Sequence, residues 1–169
     1  MRRIVLALQI VAAAALAVAT SSGARTTAPA AGVPRCSVRE PPPIAPHPGG
    51  ARLLARTGAN TLLLCRYRGL DPKATALRLR SSRLIVDRSE IDAVATALNA
   101  LPPEQSGLHC PMDDGSAIFA SFSYPHGADA LVRIGLRGCE TVAGAHPPVR
   151  TAAGPAGARL LARLERLVP

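Results

Sequence analysis

Apolar positions along this chain alternate with period two over several short runs, and two further stretches carry helical spacing. NTLLLCRY (60–67) is a compact apolar run and reads as a strand. ALRLR (76–80) alternates strictly and reads as a half-buried strand, with SRLIVD (82–87) as a further one. RGLDPKAT between the first two carries the Gly and Asp-Pro of a turn. Pairing these strands would put Arg66 and Arg68 on one face of the first and Arg78 and Arg80 on one face of the second. Cys65, Tyr67, Leu77 and Leu79 would then point the other way, toward a core. A helix follows: Ser89 is placed to cap it, Asp92 stands three residues on, and Ile91, Val94, Ala95, Leu98 and Leu101 form one stripe. Pro102-Pro103 ends it. SAIFASFSY (116–124) and ALVRIGL (130–136) read as a hairpin around Pro125-His126-Gly127, and Gly138-Cys139 closes the second strand. ARLLARLERL (158–167), with leucines at 160, 161, 164 and 167, is an amphipathic helix suited to packing on the sheet.

Strands grouped together with helices set apart predict an α+β domain with a small antiparallel sheet of four to five strands. One central helix and a C-terminal amphipathic helix complete it. No internal repeat is visible.

The N-terminus changes the picture of where this domain works. Arg2 and Arg3 precede an uncharged apolar run over 4–18, and Ser22-Gly23-Ala24 fits the small-x-small pattern ahead of a cut at Arg25. Residues 1–24 therefore read as a secretory signal and the mature protein as secreted. The apolar run is shorter than the roughly 20 residues of a spanning helix, so no membrane span is expected after its removal. No lipid anchor is expected either, because Cys36 follows Arg35 and not a small residue. Residues 25–50 are rich in Pro, Ala and Gly and read as an arm or linker, leaving 51–169 as a single domain with Cys36 tied back to it.

That domain has no Trp, and Tyr67, Phe119, Phe122 and Tyr124 are its only aromatic residues. So modest a core in a secreted chain calls for covalent bracing. Cys36, Cys65, Cys110 and Cys139 supply it. Three pairings are possible on paper, and Cys36–Cys65 with Cys110–Cys139 is the preferred one, each closing a local loop. No C-x-x-C spacing is present, and His109 beside Cys110 does not make a zinc site, so no metal is expected.

The formal net charge is +9, and removing Arg2 and Arg3 lowers it by two. Lys73 is the sole lysine, an arginine bias of the kind a GC-rich genome imposes. Arg66, Arg68, Arg78 and Arg80 nevertheless form a candidate face for phosphate or carboxylate partners such as an anionic cell-wall polymer. The plainer alternative is the wet side of a sheet. With few aromatics to stack bases, nucleic acid is not an expected partner.

Catalysis finds little support. There is no G-x-S-x-G, and His47, His109, His126 and His146 all lie in loop surroundings. A non-catalytic binding module without a cofactor is the expected class. Asp113 and Asp114 fall far short of a calcium loop, and Asp-Gly is a common turn signal.

Two resemblances bear on LHCPMDDGSAIF (108–119). The helix with Leu98 to Leu101 as Leu-Asn-Ala-Leu, followed by Cys110-Pro111-Met112, a hairpin and Cys139, resembles part of the Streptomyces subtilisin inhibitor family. That resemblance implies a secreted serine protease inhibitor, with Pro111, Met112 and Asp113 in the reactive-site loop and Met112-Asp113 as the scissile bond. An extracellular protease would be the partner. In that family another cysteine stands just ahead of the helix, whereas Cys65 lies over twenty residues before Ile91. A longer ordered set, L-C-R-Y at 64–67, C-P-x-D-D-G at 110–115, F-x-Y-P-x-G at 122–127 and L-x-G-C at 136–139, resembles small secreted proteins and lipoproteins of actinobacteria. This second resemblance explains all four cysteines, treats Asp113-Asp114-Gly115 as a turn and implies no activity.

Overall fold

Six antiparallel strands form one sheet in the spatial order β2-β1-β3-β4-β5-β6. The computed structural model describes residues 34–42, 53–69, 77–104, 110, 113–145 and 149–169. Within them β1 is Thr61–Tyr67, β2 Leu79–Ile85, α1 Arg88–Asn99, β3 Ala117–Ser123, β4 Ala130–Gly135, β5 Thr141–Gly144, β6 Arg150–Thr151 and α2 Pro155–Leu167. Val33–Pro169 forms one compact unit. The α+β class, the small antiparallel sheet, the two helices and both disulfides are as the sequence predicts.

The strand count exceeds the expected four to five because β5 and β6 are too short to show as apolar runs. The strands anticipated at 76–80 and 82–87 are also one element. Ser81 and Ser82, which look like a break, sit in the ladder opposite Arg66 and Cys65. The register then steps from Ser81 opposite Arg66 to Leu79 opposite Tyr67, a bulge that leaves Arg80 as the extra residue.

Helix α1 starts on a different cap from the expected one. Asp87 is the N-cap, and its carboxylate accepts hydrogen bonds from the Ser89 backbone N–H at 2.9 Å and hydroxyl at 2.8 Å. Asp92 instead accepts from the Gly58 N–H at 2.7 Å, tying the segment before β1 to the helix. Asn99 does the same at the far end, accepting from Leu54 N–H and donating to the Ala55 carbonyl. Helix α2 begins three residues earlier than its leucine pattern suggests, because Pro155 is pre-set for a first helical turn.

The two faces of the sheet are closed differently. Leu62 and Leu64 of β1, Ile118, Ala120 and Phe122 of β3, and Val132 and Ile134 of β4 face the helices in the main core. Ile91, Val94, Ala95 and Leu98 of α1 and Leu160, Leu161 and Leu164 of α2 meet them. The other face holds a smaller cluster of Leu63, Cys65, Tyr67, Ala117 and Phe119, joined by Cys36, Leu77 and Leu79. Cys65, Tyr67, Leu77 and Leu79 thus share one face as the alternation predicts. The arm closes this side: Cys36 is bonded to Cys65, and Tyr67 Oη donates to the Ser37 carbonyl at 2.9 Å. Leu79 N–H donates to Val38 at 3.0 Å and Glu40 N–H to Leu77 at 3.1 Å, so residues 38–40 add to the edge at 77–79. Among the described residues no helix is long and apolar enough to cross a membrane.

Candidate functional site

Where β1, β2 and the end of α2 meet, basic side chains gather for a local reason. The last carbonyls of a helix have no partner within it, and cations are favoured there. Arg66 donates to the Val168 carbonyl at 3.4 Å and Arg83 to that of Leu167 at 3.4 Å, while Ser81 Oγ donates to the Pro169 carbonyl at 2.5 Å. Arg66 also donates to Glu165 Oε1 at 2.9 Å, and its side chain keeps only 16% of its exposure. Period-two alternation puts Arg66 on the face that carries Leu62 and Leu64, so it lies at the rim of α2 and not on an open sheet face.

Beside this rim, Arg66, Arg68, Arg80 and Arg137 line a cleft of about 180 Å³ together with Asp114 and Glu165. Arg80 is the bulged residue of β2, Arg68 follows the end of β1, and Arg137 comes from the β4–β5 connection. Arg68, Arg80 and Arg137 are exposed. The ion pairs among the described residues are Arg66–Glu165 and Arg163–Glu90, so three guanidinium groups of the cleft have no described carboxylate at contact distance. Each presents several N–H donors in a planar fork that matches carboxylate and phosphate oxygens.

Asp114 and Ser116, which line the cleft, belong to the turn at 113–116. Asp113 Oδ1 accepts from the Gly115 N–H at 2.8 Å and Asp114 Oδ1 from the Ser116 N–H at 2.8 Å, two consecutive Asx turns. Gly69 and Gly138 clasp this turn. A Cβ on Gly69 would come within 2.6 Å of the Asp114 carboxyl carbon, and one on Gly138, at φ +73°, within 2.5 Å of Asp113 Cβ. Cys139, next to Gly138, is bonded to Cys110. Hydrogen bonds from Ser116, side chain first, and the nearby Arg137 charge hold Asp114 below the usual aspartate range. Asp114 is therefore ionised at neutral pH and offsets part of the positive charge.

Of the four arginines expected on one face, three share the cleft. Arg78 does not: it is bridged to Arg39 at the sheet edge. Arg137 and Glu165 were not anticipated, because only the closure of the sheet and the packing of α2 bring residues 66, 137 and 165 together. No signal in the sequence marks them. Pro111 and Met112 of the possible reactive-site loop lie outside the described residues, and only Asp113 can be placed. His47, His109 and His146 also lie outside them, and His126 is exposed at the β3–β4 tip. Among the described residues no group of three or more His, Cys, Asp or Glu is placed to hold a metal ion.

A larger recess of about 360 Å³ flanks the β3–β4 hairpin near Leu53, Arg56, Tyr124 and Asp129. Its polar groups are largely engaged with one another. Arg56 lies over the Tyr124 ring at 4.6 Å, Tyr124 Oη donates to the Arg56 carbonyl, and Asp129 accepts from Ser123 and Tyr124. Bonds of this kind hold the hairpin and leave little to recognise a ligand. The arginine cleft, with Arg68, Arg80 and Arg137 in no ion pair among the described residues, is the better candidate. Comparison of the chain with known protein families, with characterised proteins and with solved structures gives no match, and the reading of this site rests on its own geometry.

Proposed function

We propose that this chain is an exported, disulfide-braced, non-catalytic module that binds a compact anionic group, phosphate or carboxylate, at the cleft of Arg66, Arg68, Arg80 and Arg137. The observation that carries the reading is the gathering of four guanidinium groups from three separate parts of the chain around about 180 Å³. Four guanidinium groups against the carboxylates of Asp114 and Glu165 leave the cleft net positive, and an anion there would accept charge-assisted hydrogen bonds. Anionic polymers of a cell exterior repeat such groups along their length. Export is supported by the leader-like residues 1–24 and by the two disulfides, which suit an oxidising compartment.

The protease-inhibitor reading gains no support from the part of its loop that is described. Asp113 is folded into an Asx turn against Gly138, which makes it a poor partner for an extended scissile segment.

Isothermal titration of the oxidised mature protein with inorganic phosphate tests the proposal. Binding should be measurable at low salt and weaken as the Debye length shrinks from about 30 Å at 0.01 M to about 8 Å at 0.15 M. Replacing Arg68 and Arg80 together by Ala should weaken it at least about tenfold, the loss of one to two charge-assisted hydrogen bonds. Equal affinity in that variant would show that the cleft is not the site.

A further inference from the structure

We propose that Asp114 makes the arginine cleft selective for oxyanions that carry a hydrogen-bond donor. Hydrogen phosphate, or a phosphate ester with a hydroxyl beside it, is then preferred over an equally charged anion without one. This inference rests on the anion-binding reading and narrows its ligand. The cleft is not lined by cations alone: Asp114 and Glu165 stand among Arg66, Arg68, Arg80 and Arg137. Its volume of about 180 Å³ lies below the roughly 300–1,000 Å³ usual for small-molecule sites. An oxyanion confined there has carboxylate as well as guanidinium groups for neighbours.

The two carboxylates are not equivalent. Glu165 Oε1 accepts from Arg66 at 2.9 Å, so part of its charge is matched within that pair. Asp114 is in no ion pair among the described residues. Its Oδ1 accepts from the Ser116 N–H at 2.8 Å. Its Oδ2 stands beside Gly69, which also lines the cleft; a Cβ on Gly69 would fall 2.8 Å from that oxygen. Hydrogen bonds from Ser116 and the charge of Arg137 keep Asp114 ionised at neutral pH. An ionised carboxylate only accepts hydrogen bonds, and its two oxygens offer about four lone-pair sites. Against a bare oxyanion it sets acceptor to acceptor and negative to negative. Against an O–H it accepts a charge-assisted hydrogen bond. The arginines therefore attract any anion, and Asp114 discriminates among them.

Isothermal titration of the full oxidised protein at mildly alkaline pH tests this with inorganic phosphate and sulfate. Both are tetrahedral dianions there, and they differ by one O–H. Phosphate should bind at least about tenfold more tightly, the contribution of one hydrogen bond to a charged group. Asp114→Asn keeps an Oδ1 acceptor for the Ser116 N–H, and Asn suits an Asx turn as Asp does. It removes the charge and adds an N–H donor, so sulfate should bind more tightly and the two affinities should converge. A purely structural role for Asp114 would move both by one factor and leave their ratio intact. Glycerol phosphate and methyl phosphate, both fully ionised at that pH, separate the two sources of the donor. Tighter binding of glycerol phosphate assigns it to a neighbouring hydroxyl; equal and weaker binding of both esters assigns it to the anion's own O–H. Equal affinities for phosphate and sulfate in the parent, or a preference that survives Asp114→Asn, would overturn the selectivity and leave the anion site standing. Absence of binding by either anion would remove the site itself.

Discussion

The helix-covered face of the sheet and its opposite face solve one problem by different means. On the first, Leu62, Leu64, Ile118, Phe122, Val132 and Ile134 are fully buried beneath two amphipathic helices. On the second, Leu63, Cys65, Tyr67, Ala117 and Phe119 make a cluster with no helix over it among the described residues, and Tyr67 meets Phe119 edge to face at 5.4 Å. An arm that includes Pro34, Pro41 and Pro42 has few donors and little apolar surface to contribute, so Cys36–Cys65 holds it in place. Where helices are present hydrophobic burial suffices; where only an arm is present a covalent bond replaces the missing area.

Substitutions on the two faces should separate these mechanisms. The largest effect is expected from Phe122→Ala, which opens a cavity under both helices. It should cost about 3–5 kcal/mol in urea unfolding and lower the stability of the whole domain. Replacing Cys36 and Cys65 together by Ala should cost about 3–4 kcal/mol, the chain entropy of a loop with sequence separation 29. Its hydrogen-exchange signature should differ, with the amides of Leu79 and Glu40 exchanging first, because their partners belong to the arm contact. If both variants lose protection uniformly, the contrast between the faces is not real.

A smaller effect sharpens how α2 sits on the first face. Gly157 is buried at the start of α2, and a Cβ there would overlap the Ala152 carbonyl. Gly157→Ala should therefore cost about 1–3 kcal/mol by overpacking, despite the higher helix propensity of Ala. A stabilised variant would mean that the approach of α2 to Ala152 is looser than described.

The smallest concerns the tie between the helices. Arg163 donates two hydrogen bonds to the Glu90 carboxylate, at 2.6 and 2.7 Å, and this holds Glu90 below the usual glutamate range. A depressed folded pKa adds stability that is present above the unfolded value and lost as pH falls through the folded one. The pair is partly exposed, so Glu90→Gln should cost under about 1 kcal/mol at neutral pH. The difference from the parent should shrink on acidification below the ordinary glutamate range. A difference that stays constant with pH would exclude the ion pair as its cause.

Much of this architecture was legible because long elements repeat a simple spacing. Ile91, Val94, Ala95 and Leu98 recur with helical period, and the β3–β4 hairpin is two alternating runs around Pro125-His126-Gly127. The cysteine pairing followed from four residues in local pairs. Other features lacked such a signal. Strand β6 has two residues, too few to show a period, and the Asp87 cap was obscured by Ser89, an equally good capping type. The bulge at Arg80 depends on pairing with a specific partner strand. The site was half legible for the same reason. Alternation showed Arg66, Arg68, Arg78 and Arg80 as a group, but Arg137 joins three of them only because β3 pairs with β1 and β4 with β3, and Glu165 only because the end of α2 returns to Arg66.

The most direct test of the central claim is a residue-resolved phosphate titration of the oxidised protein, following backbone amide shifts by NMR at low salt. Shifts should concentrate on Arg68, Gly69, Arg80 and Arg137, with the surface arginines Arg159 and Arg166 of α2 unmoved. Uniform small shifts over all basic residues, or movement centred on Arg56 and Tyr124 at the hairpin recess, would contradict the assignment of the arginine cleft as the binding site.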